Sequence, residues 1–293
     1  MSINFAILAI GGMTSMVRIC LSSLVKVDNI KIYVMTEKKH FQDFVVFGEE
    51  NKKAIELIEE IELSSSMSDE SKTADASYEN YGTSRFAQIN ILKWSLIRNV
   101  LNKIDHGETI IFSDFDVIWF KNPKKFFFQN ASNKILAQAE WSKIDNVKYC
   151  TGIIGFVKTD NIDQLFNRLT NFHQRQLDLR HGIYFDQQAF NDFFLQSDMK
   201  ENVECLPSES FVIGADIPRY LLRSYESIYA VHANYLKGAR RKEIVMKAIR
   251  LSVERHIFRM PIALFVKMLL LEGRIGVISN KITKKAQKAI RNS

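Results

Sequence analysis

Apolar positions fall into short runs along the first part of the chain, and their spacing changes from run to run. Asn4–Ile10 is a nearly continuous apolar run ending in Gly11-Gly12, Met13–Val27 then repeats at helical spacing, and Ile30–Met35 is a second strand-like run. A strand, a helix and a strand in that order open an α/β fold. The glycine pair is not GxGxxG, so it carries no dinucleotide fingerprint. Glu49–Leu63 reads as a short acidic helix, and Ser64–Asn80, rich in Ser, Asp and Glu, as a flexible solvated loop. Ser84 is placed to cap a helix running to about Ile104 and stopping before Gly107. Then comes the run Ile110–Phe120, read as an apolar strand with Asp114 and Asp116 one residue apart at its end. Beyond a turn at Asn122-Pro123, Lys134–Ala139 and Gly152–Val157 read as strands, and Asn161–Phe172 and Gln187–Leu195 as helices. Glu209–Val231 mixes loops with a final core strand, and no internal repeat is visible.

The 293 residues allow one large α/β domain or two small ones, and a hydrophobic content of 46% with 4 prolines is that of an ordinary globular chain. Cys20, Cys150 and Cys205 are an odd set without CxxC spacing. They read as reduced core residues of a cytoplasmic protein, with neither a disulfide frame nor a zinc site. No basic segment followed by a long apolar stretch marks a signal peptide. Charge changes the picture more. Residues 237–293 carry 15 Lys and Arg against three Glu, a balance of +12, whereas the rest of the chain stands at −5.

A boundary is therefore expected between a mildly acidic domain, 1–238, and a basic amphipathic helical tail, 239–293. In the tail Ile244, Ala248 and Leu251 share one helical face opposite Arg and Lys, and Met260–Leu271 is apolar but too short to span a bilayer. Such helices lie in the headgroup plane of anionic membranes, which would make the protein peripheral on a membrane's inner face. The alternative is a helical pair packed on the domain with its charges solvated. Nucleic acid is not expected as a partner, because the tail lacks aromatics interleaved with its basic residues for base stacking.

Candidate chemistry centres on Asp114 and Asp116. On extended backbone alternate side chains share a face, so the two carboxylates are expected to point the same way from the mouth of a buried strand. Acidic pairs in loops are common and mostly just solvated. Here the apolar company makes two like charges costly unless a cation sits between them. Hard oxygen ligands suit Mg²⁺ or Mn²⁺, with substrate phosphates completing the shell.

Lys93 falls in the centre of the apolar stripe Phe86, Ile89, Leu96, Ile97, Val100 and Ile104. Either its stem packs while the ammonium snorkels out, or the ammonium reaches an anion above the sheet edge. Asp186 is a candidate helix N-cap, and with Gln187 it can also hold sugar hydroxyls. His232 follows an apolar segment with Lys237 five residues on. A lone histidine is usually structural, yet imidazole suits Mn²⁺ and a nearby lysine suits phosphate. The other histidines have no partner spacing.

Taken in order, Tyr81-Gly82-Thr83-x-x-Phe86, Lys93, Phe112-Ser113-Asp114-Phe115-Asp116 through Pro123, Thr151-Gly152, Asp186-Gln187-x-Ala189-Phe190-Asn191 and His232-Ala233-Asn234 form a set. Over about residues 3–238 it resembles the nucleotide-diphospho-sugar transferases of the GT-A fold, specifically the group containing the plant rhamnogalacturonan xylosyltransferases. It is more distantly similar to the bacterial lipopolysaccharide galactosyltransferases and glycogenin. The resemblance implies a Rossmann-like, mixed and mostly parallel central sheet flanked by helices, and a glycosyltransferase acting on a glycan or glycolipid acceptor. It implies Mn²⁺ or Mg²⁺ on Asp114, Asp116 and His232, and a sugar-nucleotide donor, usually UDP-linked, met by Thr83, Lys93 and Asp114. Lys237 and Gly238 stand for the family's phosphate-binding Lys-Gly at a different spacing, and Asp186 and Gln187 for the pair against the reacting face of the sugar. Cys150 replaces the Asn common before the small residue and Gly, which bears on the identity of sugar or acceptor.

One rival shares the pattern. Asp114-Phe115-Asp116-Val117 also fits the nucleophile motif of haloacid-dehalogenase-type phosphatases, though their downstream acidic pair is missing. A non-enzymatic membrane- or nucleic-acid-binding module built on the tail is the other alternative.

Overall fold

A computed structural model describes residues 3–60, 84–131, 134–140, 148–180, 184–195, 199–221, 227–234, 236, 239–255 and 267. The 64–80 loop, Thr83, Lys237, Gly238 and most of Met260–Leu271 lie outside the described residues.

Strands β1 (Ile3–Leu8) and β2 (Ile30–Thr36) flank helix α1 (Ser15–Leu24), as the apolar runs predict. Helix α2 (Phe41–Glu50) follows, and then the chain departs from expectation: the described part of the expected Glu49–Leu63 helix is not helical beyond Glu50. The backbone turns at Lys52 (φ 52°), and Ile55–Glu59 forms strand β3, pairing parallel with β2 from Ile32↔Ile55 to Thr36↔Glu59. Within Ile-Glu-Leu-Ile-Glu the glutamates are exposed on opposite faces of the strand, while Ile58 packs into one core and Ile55 and Leu57 against the other, so this segment has no clean alternation to read.

Helix α3 (Ser84–Leu101) leads to β4 (Thr109–Ser113), short β5 (Val117–Trp119), α4 (Lys124–Asn130), β6 (Ile135–Ala139) and β7 (Tyr149–Val157). Next come α5 (Asp160–Leu179), α6 (Asp186–Phe194), β8 (Val203–Leu206), β9 (Phe211–Ile213), α7 (Ile217–Leu221), β10 (Ala230–His232) and α8 (Ala239–Arg255).

Seven strands form one mixed sheet in the order β3-β2-β1-β4-β7-β6-β8, with β3 through β4 mutually parallel and β7 antiparallel to both neighbours. Alternate residues of each strand feed two cores. Phe5, Ile7, Val34 and Ile111 pack under α1, α2 and α4, while Ala6, Leu8, Tyr33 and Phe112 pack under α3, α5 and α6. The result is the expected α/β sandwich of helix, sheet and helix layers. Parallel strands run out on both sides of β1, to β2 on one side and to β4 on the other. The carboxyl ends of β1 and β4 thus form the crevice where open α/β sheets take ligands.

Asp114 and Asp116 stand at the end of an apolar strand as expected, but not on extended backbone. β4 stops at Ser113, Asp114–Asp116 turn, and β5 joins a second, three-stranded sheet in the order β5-β10-β9. The turn is fixed by Val117 N–H to Asp114 O at 3.3 Å and by Ala233 N–H to Asp116 O at 2.9 Å.

The tail's first helix also differs from expectation. The buried face of α8 is Lys242, Val245, Met246 and Ile249, an i, i+3, i+4, i+7 stripe, and its aliphatics share a cluster with Met16, Ile19, Ile118, Val212 and Val231. The face expected to be its apolar side looks outward, with Ile244 41% and Leu251 48% exposed. Reading Lys242 as a solvated charge hides the true stripe. Among the described residues no helix is long and apolar enough to cross a membrane. All three cysteines are free thiols, Cys20 and Cys150 buried and Cys205 half-buried.

Candidate active site

β4 delivers its carboxylates by ending abruptly. Asp114 N–H donates to Gly152 O of β7 at 2.8 Å, the last backbone tie before the turn. The turn, rather than an extended alternation, then brings Asp116 round to β10, whose register sets His232 opposite Val117. His232 Nε2 lies 3.0 Å from Asp116 Oδ1 and 3.9 Å from Asp114 Oδ2. Ligand atoms of the three residues all fall within 4.8 Å of one another. The imidazole fits because Gly152 has no side chain: a Cβ there would stand 2.0 Å from His232 Cε1.

Two oxygen ligands and one imidazole suit Mn²⁺ or Mg²⁺ as a donor set. The tautomer supports the fit. Gln138 is fully buried on β6 and donates its Nε2 hydrogens to Phe211 O at 3.2 Å and Val212 O at 3.3 Å. Its Oε1 therefore faces His232 Nδ1, 2.7 Å away, and accepts the Nδ1 proton. That leaves Nε2 as the nitrogen aimed at the carboxylates, the arrangement ligating histidines use.

Lys93 neither snorkels nor waits for an external anion. It is 3% exposed and donates to Asp186 Oδ2, to Thr151 O at 3.0 Å and, at 3.5 Å, faces Asp114 Oδ1. Its ammonium also lies 4.6 Å from the centre of the Phe112 ring. Burial works against this charge, but Asp114 and Asp186 outweigh it and hold Lys93 protonated. Asp186 is the first residue of α6 and not its N-cap, which is Phe185. Its carboxylate takes both Lys93 and the Thr151 hydroxyl, and these hold it below the usual carboxylate range in spite of burial. Gln187, half-buried, donates Nε2 to Glu140 Oε2 at 2.6 Å.

Asp116 behaves oppositely to its neighbour. Burial would raise it, but Lys242 and His232 hold it far below the usual range. Asp114 is pushed up by burial, Lys93 pulling against this and Asp116 adding to it. For His232, burial opposes the charge and Asp116 overcomes it, pushing the imidazole up to about 10.

Asp114, Asp116, His232, Lys93, Asp186 and Gln187 were all legible as candidates, and Lys93 joins the Asp114 side of the site to the Asp186 side. Three residues were not. Gln138 orients His232, Glu140 holds Gln187, and Lys242 of α8, 1% exposed, donates to Asp116 Oδ2. Gln138 carries a signal, being polar inside Ile135–Ala139. Lys242 carries a weaker form of the Lys93 signal, a lysine that opens the apolar helical stripe Val245, Met246 and Ile249.

The fold has solved counterparts. Mouse xyloside xylosyltransferase 1 superposes with a TM-score of 0.51 at 13% identity, over 79% of this chain and 98% of that one. The galactosyltransferase LgtC, in complex with donor and acceptor sugar analogues, gives 0.52 at 11% identity over 80% and 87%. The glycosyltransferase GlyE of Streptococcus pneumoniae TIGR4 gives 0.52 at 13% over 92% and 64%. At such identities the likeness is one of fold, and it is the GT-A fold. No curated protein matches the chain in sequence. The family model for nucleotide-diphospho-sugar transferases matches residues 40–246, from the start of α2 through the His232 strand to the buried face of α8. The phosphatase reading of Asp114 is not retained. By that match the chain is a glycosyltransferase and belongs to the nucleotide-diphospho-sugar transferase family.

Proposed function

We propose that the protein transfers a sugar from a UDP-sugar to a hydroxyl of a glycan or lipid-linked saccharide, with retention of anomeric configuration. The observation that carries this reading is the convergence of Asp114, Asp116 and His232 at the carboxyl end of β4, beside Lys93. Mn²⁺ or Mg²⁺ held by those three residues would supply Lewis-acid stabilisation to a diphosphate leaving group.

The chain's own groups account for the rest. Lys93 is fixed and charged, so it adds positive potential without reorganising during the reaction. Gln187, its amide nitrogen held by Glu140, has its oxygen available to a sugar hydroxyl or an oxocarbenium-like centre. Asp186 is paired with Lys93 and Thr151, which makes it a poor covalent nucleophile. Front-face attack assisted by the departing phosphate is therefore preferred over double displacement. Thr83, Lys237 and Gly238 remain proposed donor contacts.

An anionic membrane surface is the proposed partner of the tail. The charge of residues 237–293 supports it, as do exposed Ile244, Leu251 and Lys247 on α8.

Screening UDP- and GDP-sugars for Mn²⁺-dependent hydrolysis tests the assignment, with nuclear magnetic resonance of the anomeric proton reporting retention. Asp116→Ala is expected to abolish the metal-dependent turnover. Undiminished turnover in that variant ends the assignment.

A further inference from the structure

Asp116 is shared. One oxygen faces His232 Nε2, and the other accepts a hydrogen bond from the Lys242 ammonium. Lys242 does not arrive on a loose stem. Val245, Met246 and Ile249, all fully buried, seat α8 against α1 and β5, and the packing of that helix puts the ammonium on the carboxylate. The same carboxylate belongs to the three-residue set that suits a divalent cation. Two cations thus draw on one anion, and like charges that close in a buried site repel strongly.

The charge balance gives this repulsion a direction. Asp114, Asp116 and Asp186 stand against Lys93 and Lys242, three carboxylates against two ammoniums, and a divalent ion adds two further positive charges. The metal-loaded site is then positive overall. An anion carrying two or more charges then relieves the repulsion, and the ammonium released from Asp116 is at hand to meet it. A lysine is suited to this exchange, being a point charge on a flexible chain that re-aims without losing a fixed fork of hydrogen bonds.

We infer that Lys242 couples divalent-metal binding to diphosphate binding: its ammonium competes with the metal for Asp116 and turns to the diphosphate once both are bound. The diphosphate half of this coupling rests on the UDP-sugar reading; the competition for Asp116 does not.

The test measures Mn²⁺ binding to the full chain by titration calorimetry, with and without UDP, in the unaltered protein and in Lys242→Met. Lys242→Met is expected to bind Mn²⁺ alone about tenfold more tightly, within the usual range of coupling between sites. UDP should tighten Mn²⁺ binding by about tenfold in the unaltered protein and by far less in the variant. Lys242→Arg, which keeps the charge, should retain the unaltered affinity. Equal or weaker Mn²⁺ binding in Lys242→Met, with UDP still bound, overturns the inference and leaves the transferase reading standing. UDP bound by neither protein overturns the diphosphate half together with the UDP reading.

Should Lys242→Met not fold, backbone hydrogen exchange in the unaltered protein decides. Mn²⁺ alone should quicken exchange across residues 239–255, and adding UDP should slow it again. Exchange indifferent to Mn²⁺ overturns the inference.

Discussion

Gln138 accepts the Nδ1 proton of His232 across 2.7 Å while its own amide hydrogens are fixed on Phe211 O and Val212 O. A buried amide so constrained cannot flip, and the imidazole can therefore present only Nε2 to Asp114 and Asp116. Groups that fix a ligating histidine in this way are worth about 10- to 100-fold in metal affinity. Gln138→Leu should weaken Mn²⁺ binding by that order, whereas Gln138→Glu, which keeps an acceptor for Nδ1, should recover part of it. Equal Mn²⁺ affinity in Gln138→Leu and the unaltered protein would show that the contact only fills space.

The same histidine sets a pH dependence. Asp116 pushes the His232 imidazolium up to about 10, so near neutral pH Nε2 carries a proton that a metal must displace. Mn²⁺ affinity is therefore lowest at acid pH and rises with pH, by about tenfold per unit while one proton is exchanged. Calorimetry in buffers of different ionisation enthalpy should count about one proton released per metal at pH 7. No proton release, or affinity flat between pH 6 and 8 (roughly the range in which an unperturbed histidine titrates), contradicts this account of His232.

Lys93 and Asp186 test how much a buried charge pair is worth here. Removing one partner strands the other, at a cost of about 3–5 kcal/mol for pairs of this kind. Lys93→Met leaves Asp186 with the Thr151 hydroxyl alone of the two partners named for it, and Asp114 without its nearby ammonium. Denaturant unfolding should show that loss, and Asp186→Asn should lose less, because Lys93 still faces Asp114. The double variant Lys93→Met/Asp186→Asn should be more stable than the sum of the two single losses predicts. Additive losses would mean that the two side chains do not act as a pair.

What the sequence discloses, and what it conceals, follows from the same physics. β1, β2 and β4 are legible because strands buried on both faces read as unbroken apolar runs. β3 is not, because an edge strand can keep glutamates on its open positions, and acidic composition then mimics a surface helix. Asp114 and Asp116 are identified correctly from a mistaken geometry: the pair converges through a turn between two sheets, not through alternation on one strand. Lys93 stands out because its apolar stripe is long, on an 18-residue helix. Lys242 does not, because the surrounding Arg and Lys make α8 look uniformly basic. Gln138 and Glu140 act on partners far away in the chain, His232 and Gln187, and pairing at that distance leaves no local spacing to read.

The tail divides into two parts that can be tested separately. Removing everything from residue 239 takes away Lys242 together with the aliphatics that cover Met16, Ile19 and Ile118. Such a variant should melt at a lower temperature and bind Mn²⁺ differently, whatever the tail does at a membrane. Cutting after Arg255 spares α8 and still removes eight Lys and Arg against one Glu. Basic residues near an anionic bilayer contribute about 1 kcal/mol each, so the shorter cut should release most of the protein from phosphatidylserine vesicles. Melting temperature, Mn²⁺ binding and donor hydrolysis should stay unchanged. Raising salt should have the same effect on the uncut protein, since exposed charges are screened within about 10 Å at 0.1 M ionic strength. Co-sedimentation that survives both the cut after Arg255 and high salt would remove residues 256–293 from the membrane proposal and leave the outward face of α8, with Ile244 and Leu251, as the surface to mutate next.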